Sequence, residues 1–292
     1  MARLVYTNMS VFSLGGTSYL HDLKRFVHMP NPTFGEGAGF STPYRKGVVE
    51  RLDESFAFDL QLSNLGADAT DGSDDDDDLE QTSLSVSAFS LHGTNYLTYL
   101  ESISFNVTSV ERGGKGVSAL RGYPVRTSIE IGGSLTMYMD SDFATQLFTQ
   151  GQSDQDTVTA IMGAASEFYV PITLTVVDAG DGATALLQYA GNCILTPTHV
   201  VTYDELTKIE CAWANRGNPT TQTGVGILGT ILTDSAQPLI SYSFRTATLS
   251  GNDTATGTGT GFLKHVNVTI PNSGIITMSG EVQCVAEPTW GG

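Results

Sequence analysis

Apolar and polar side chains alternate along six stretches of the chain. Phe56, Phe58, Leu60 and Leu62 alternate with Ser55, Ala57, Asp59 and Gln61; Leu135, Met137 and Met139 alternate with Ser134, Thr136, Tyr138 and Asp140. The same period recurs at Ile103/Phe105/Val107, Ile172/Leu174/Val176, Ile209/Cys211/Trp213 and Val266/Val268/Ile270. Successive strand side chains point to opposite faces, so period two with one apolar side predicts half-buried antiparallel strands. One region has helical spacing instead. Ser141 or Asp142 can cap a turn carrying Phe143, Leu147 and Phe148, and Asp154 and Asp156 precede Val158, Ile161, Met162, Ala165 and Phe168. Apolar residues three and four apart form one helix face. The pattern predicts an all-β chain with one main helical segment.

Self-comparison adds a repeat. Residues 12–23 read FSLGGTSYLHDL and residues 89–100 read FSLHGTNYLTYL. At a constant offset of 77, eight of the twelve positions are identical: Phe12, Ser13, Leu14, Gly16, Thr17, Tyr19, Leu20 and Leu23 recur as Phe89, Ser90, Leu91, Gly93, Thr94, Tyr96, Leu97 and Leu100. Each copy is followed by a Gly-rich stretch and then by one of the alternating strands. A weaker echo links Gly191–Trp213 with Gly261–Gln283, each a glycine, an extended segment, a turn and a second extended segment. The expected organisation is internal duplication into two tandem or nested β-barrels or sandwiches. Residues 1–66 form a first unit, which 236–292 can complete with C-terminal strands; 67–83 are a linker; 84–235 form a second unit.

Charge narrows the function classes. The 292 residues hold 14 Lys+Arg against 31 Asp+Glu, a formal net charge of −17. A surface that grips nucleic-acid phosphates needs clustered cations, which this balance argues against. Residues 67–83 contain eight acids, including the run Asp74, Asp75, Asp76, Asp77 and Asp78, and no base. Such a block cannot bury enough apolar surface to fold, and it is expected to be a solvated linker. It lacks the alternation, turn glycine and closing glutamate of a calcium loop. No run approaches the roughly 18–20 apolar residues of a membrane helix, and the first residues lack the apolar core of a secretory signal. Cys193, Cys211 and Cys284 are odd in number and lack metal-site spacing, consistent with assembly in a reducing cytoplasm.

Motifs of catalysis are absent or misplaced. Gly224-Val225-Gly226-Ile227-Leu228-Gly229 matches G-x-G-x-x-G, but Thr230-Ile231-Leu232-Thr233 makes a poor helix, so a loop between strands is expected rather than a dinucleotide site. Gly113-Gly114-Lys115-Gly116 lacks the spacing of a phosphate loop. His21, His28, His92, His199 and His265 are dispersed, and those near the repeat occupy inequivalent positions. The expectation is no enzyme, no cofactor and no metal.

The segment FSLGGTSYLxxL, followed by a Gly-rich extension and a strand, resembles the opening of phage tail tube domains. The second copy continues in the order strand, helical segment, strand and closing hairpin, which is similar to a complete tail tube fold over residues 84 to about 217. The resemblance implies a virion protein, assembled in the host cytoplasm, that forms trimeric rings of pseudo-sixfold symmetry. Its partners would be itself and other tail proteins, with genomic DNA passing through unbound and no membrane span. The Gly-rich stretches 30–46 and 110–124 are long for hairpin loops. Their cations, Arg45, Lys46, Arg112, Lys115 and Arg121, are candidates for contact between stacked rings. The alternatives are another tail or baseplate ring component, or a carbohydrate-binding or capsid-decorating β-sandwich.

Overall fold

Fifteen strands share one antiparallel hydrogen-bonded network. The structure, a computed structural model, describes residues 6–37, 46–62, 84–91, 93–114, 123–138, 170–178, 185–200, 208–233, 235–248, 253–271, 276–285 and 289–291. The acidic run Asp74–Asp78 and the helical stretch expected at 141–168 lie outside the described residues.

The alternating stretches become strands with their apolar side inward. Phe56, Phe58, Leu60 and Leu62 are buried, as are Ile103, Phe105, Val107, Leu135 and Met137. The same holds for Ile172, Leu174, Val176, Ile209, Cys211, Trp213, Val266, Val268 and Ile270. Burial of these rows on one sheet face removes roughly 1.5–3 kcal/mol worth of water-exposed surface per large side chain. That is the main force holding the strands in register, because a slip of one residue would turn every one of them outward.

In chain order the N-terminal segment gives β1 (Tyr6–Leu14), β2 (Thr17–Ser18), β3 (Leu23–Gly37) and β4 (Lys46–Leu62). The next segment gives β5 (Leu84–Leu91), β6 (Thr94–Asn95), β7 (Leu100–Gly114), β8 (Tyr123–Tyr138), β9 (Val170–Asp178), β10 (Ala185–Val200) and β11 (Lys208–Gly224). A helix, α1 (Gly226–Leu232), leads to β12 (Leu239–Thr248), β13 (Asp253–Pro271), β14 (Ile276–Cys284) and β15 (Thr289–Gly291).

Both copies of the repeated motif take the same local structure. Ser13 and Leu14 pair with Ser18 and Thr17 across a tight turn, and Ser90 and Leu91 pair with Asn95 and Thr94. Tyr19 N donates to Phe12 O at 2.9 Å and Tyr96 N to Phe89 O at 3.1 Å. Gly16 and Gly93 carry φ of 87° and 79°, a left-handed turn that only glycine adopts without strain. The likeness extends to irregularities. Register shifts fall at Met9/Val11 in β1 and at Val86/Ala88 in β5, and at Leu23/Arg25 in β3 and Leu100/Ser102 in β7, each pair 77 residues apart.

The partners follow the same order. β5 pairs β9, β9 pairs β10, β10 pairs β11, β11 pairs β8 and β8 pairs β7. β1 pairs β12, β12 pairs β13, β13 pairs β14, β14 pairs β4 and β4 pairs β3. Strands from residues 1–66 are therefore neighbours of strands from 236–292. Register also moves the weaker echo. Leu91 lies opposite Ile172 and Ile172 opposite Gly191, while Leu14 lies opposite Tyr242 and Tyr242 opposite Gly259. The counterpart of Gly191 is thus Gly259 rather than Gly261.

Two sequence expectations are corrected. The Gly-rich stretches are largely strand: β3 and β4 pair from Leu23↔Leu60 out to Gly37↔Lys46, and β7 and β8 from Leu100↔Met137 out to Gly114↔Tyr123. Backbone pairing along a two-stranded ribbon tolerates these glycines because each N–H and C=O finds a cross-strand partner. The segment expected as a loop at Gly224–Gly229 instead ends β11 and starts α1. Ile227, Leu228, Ile231 and Leu232 are buried, and that apolar face overrides the poor helix propensity of Gly and Ile.

Candidate assembly edges

The two sets of strands meet at one joint. The C-terminal part of β13 pairs with β7, from His265↔Thr108 through Val268↔Phe105 to Pro271↔Ser102. Its inner side is Ile103, Phe105 and Val107 against Val266, Val268 and Ile270, every one of them 1% exposed or less. Phe105 also packs on Tyr189 and Trp213, with ring centroids 5.4 and 5.8 Å away. The joint is as dry as the core of either set of strands. At one end Lys264 Nζ lies 3.1 Å from Glu281 Oε1 and 3.9 Å from Glu111 Oε1. At the other, Glu101 Oε1 accepts hydrogen bonds from Lys208 Nζ at 2.7 Å and Tyr138 Oη at 3.0 Å. The bond from Lys208 holds the Glu101 carboxyl below its ordinary range. These partly exposed pairs fix position more than they stabilise.

Each set of strands leaves one edge open. Among the described residues β3 has a single strand neighbour, β4. β10 is paired on one side by β11 from Leu187 to Val200, but on the other β9 reaches only to Cys193. The outer edge of β10 from Thr196 to Val200 therefore has no strand neighbour among the described residues.

Two shallow grooves lie at corresponding places. One is lined by Glu101, Tyr138, Lys208 and Glu210; the other, at the matching register positions, by Lys24, Gln61, Thr277 and Ser279. The shape repeats and the chemistry does not, so the groove is a product of strand geometry rather than a site built around particular reactive groups. Among the described residues no cluster of three His, Cys, Asp or Glu side chains is placed to hold a metal. None of the helices among them is long and apolar enough to cross a membrane.

The glycines of the G-x-G-x-x-G segment have a packing role. A Cβ on Gly229 would stand 2.5 Å from Gly224 O, and one on Gly224 would stand 2.9 Å from Leu228 Cβ. They let a seven-residue helix press against the strand end that precedes it.

Of the five candidate contact cations, Arg112 lies exposed on β7 and Lys46 opens β4 opposite Gly37. Arg45, Lys115 and Arg121 lie outside the described residues. Sequence reasoning missed Arg126, which is buried and donates from its guanidinium to Ile231 O at 2.7 Å and to Thr233 O, both at the C-terminus of α1. It also missed the contact between His28 Nε2 and the buried Glu54 Oε1, 2.7 Å apart. The 77-residue offset offered a signal for that pair: its counterparts are Phe105 and Ile131, so a polar couple stands where the other copy has an apolar one.

The three cysteines are free and buried. Burial pushes the Cys193 thiol up to about 11 and the Cys211 thiol up to about 12, so little thiolate exists near neutrality. An aromatic disulfide reagent at pH 7.5 is expected to leave all three unlabelled in the folded chain and to titrate three on denaturation. Rapid labelling of one of them without denaturant would contradict their placement.

Comparison with protein-family models and with curated proteins finds no match for the chain.

Proposed function

We propose that the chain is a structural, self-assembling virion subunit of the phage tail tube kind, carrying two copies of one β unit with the second nested inside the first. The observation that carries this reading is the repetition of strand order, register and bulge positions in two sets of strands joined edge to edge. A chain holding two similar units joined in this way, with one open edge on each, has the parts needed to continue the joint from molecule to molecule. Head-to-tail contacts of that kind generate rings or filaments.

The net charge of −17 supports a conduit role. Repeated around a ring it produces a strong negative field, which repels phosphates and lets a duplex slide. In this reading Arg45, Lys46, Arg112, Lys115 and Arg121, at or beside the ends of the β3–β4 and β7–β8 ribbons, meet acidic groups of the next ring and set axial register. Genomic DNA passes through without specific binding, and other tail proteins cap the tube.

Negative-stain electron microscopy of the purified full-length chain tests this. The expected result is hollow cylinders of stacked rings. Single rings that never stack would assign the chain to a terminating or baseplate ring, and a stable monomer at high concentration would overturn the reading. Deleting Gly113–Val117, at the end of the β7–β8 ribbon, is expected to leave rings and abolish long cylinders; unchanged cylinder length would remove the ribbons from the stacking role.

A further inference from the structure

The internal joint specifies an external one. β7 has β8 on one side and β13 on the other, and its counterpart β3 has β4 on one side and no strand neighbour on the other among the described residues. The counterpart of β13 is β10, and register fixes their correspondence. Leu60 lies opposite Met278 and Met278 opposite Val268; Met137, 77 residues after Leu60, lies opposite Ile209 and Ile209 opposite His199. Val268 therefore corresponds to His199 in strand position. Val268 is paired with Phe105, whose counterpart 77 residues earlier is His28.

We infer that the outer edge of β3 in one chain pairs antiparallel with the outer edge of β10 in a second copy, reproducing the β7–β13 register. The inference rests on the self-assembly reading above and deepens it by naming the surfaces and their alignment. Asn267↔Asn106 inside the chain becomes Thr198↔Met29 between chains, and Thr269↔Ser104 becomes Val200↔Val27. The correct side of each strand is the open one. β13 meets β7 on the side away from β14, and β10 is open on the side away from β11.

Three features favour a second copy as the occupant. The two open edges belong to the same chain, so each molecule offers one of each and the contact propagates head to tail. The joint they would copy is already satisfied within the chain by seven register pairs. A strand edge also carries a row of backbone donors and acceptors that seek a partner strand, and addition of a strand supplies main-chain hydrogen bonds along its length. Apolar backing is present as well. Phe26 on β3 packs on Phe12, Phe56 and Phe244 with centroids 5.0 to 5.7 Å apart, so the β3 edge is anchored rather than loose.

Disulfide trapping reads the register directly. Chains carrying Met29→Cys and Thr198→Cys are prepared separately, mixed under assembly conditions, oxidised, and run on a non-reducing denaturing gel. The buried native cysteines are silent in this assay. A band of twice the chain mass in the mixture, absent from either variant alone, is the expected result. The double variant is expected to give a covalent ladder that ends at the ring size. The pair Met29→Cys with Thr196→Cys, two positions out of register, is expected to cross-link at least tenfold less. Rings or cylinders by microscopy with no cross-link, or with the out-of-register pair favoured, would overturn this joint and leave the self-assembly reading standing. Monomers by microscopy with no cross-link would overturn both.

Discussion

Replacing Phe105 by alanine is expected to cost about 3–5 kcal/mol of stability, the usual range for removing a fully buried aromatic ring. The ring is 0% exposed, faces Val268 across the joint, and touches Tyr189 edge-on and Trp213 at a tilt. The loss combines the transfer of the ring's apolar area with the contacts forfeited around a cavity that sheets on both sides cannot collapse to fill. Phe105→Leu keeps most of the volume and is expected to lose less than half as much. Urea unfolding followed by tryptophan fluorescence is the measurement, since Trp213 reports on this cluster. A cost under 1 kcal/mol for the alanine variant would mean that the joint is not packed as described.

Loss of Arg126 should be felt next. Its guanidinium supplies donors to Ile231 O and Thr233 O, carbonyls left over at the end of α1, and a cation there also complements the helix dipole. Gln222 Nε2 adds a bond to Leu232 O at 3.3 Å. Arg126→Leu is expected to destabilise by about 2–3 kcal/mol, because it strands buried acceptors that water cannot reach. Arg126→Lys keeps the charge without the planar fork and is expected to recover part of that loss. The same urea titration distinguishes the two, and an Arg126→Leu chain as stable as the parent would show that α1 needs no capping from β8.

The strands were legible because each carries its own signal. Phe56 to Leu62 and Ile209 to Trp213 alternate cleanly, and a half-buried strand has no other way to satisfy its two faces. The repeat of residues 12–23 was equally plain, since its turn needs glycine at Gly16 and Gly93. α1 was harder. Ile227, Leu228, Ile231 and Leu232 have a helical spacing, but three glycines and two β-branched residues argue locally for a loop, and only burial against the β11 end decides the contest. The joint between β7 and β13 could not be read at all. Thr108 and His265 pair across 157 residues, and no periodicity within either strand names its partner. The role of Arg126 was hidden for the same reason: its acceptors lie more than 100 residues away.

The nested order of strands separates the sequence of synthesis from the sequence of closure. Every partner of β5, β9, β10 and β11 is made by Gly224, whereas β1 waits for β12 and the outer edge of β4 waits for β14. Emerging from the ribosome, the inner unit can be finished while the outer one is still a half-built sheet with Phe12, Phe56 and Phe58 uncovered. Contacts that span so much chain form late, and exposed strand edges invite wrong neighbours in the meantime. The last fifty residues act as the clasp that ends that interval.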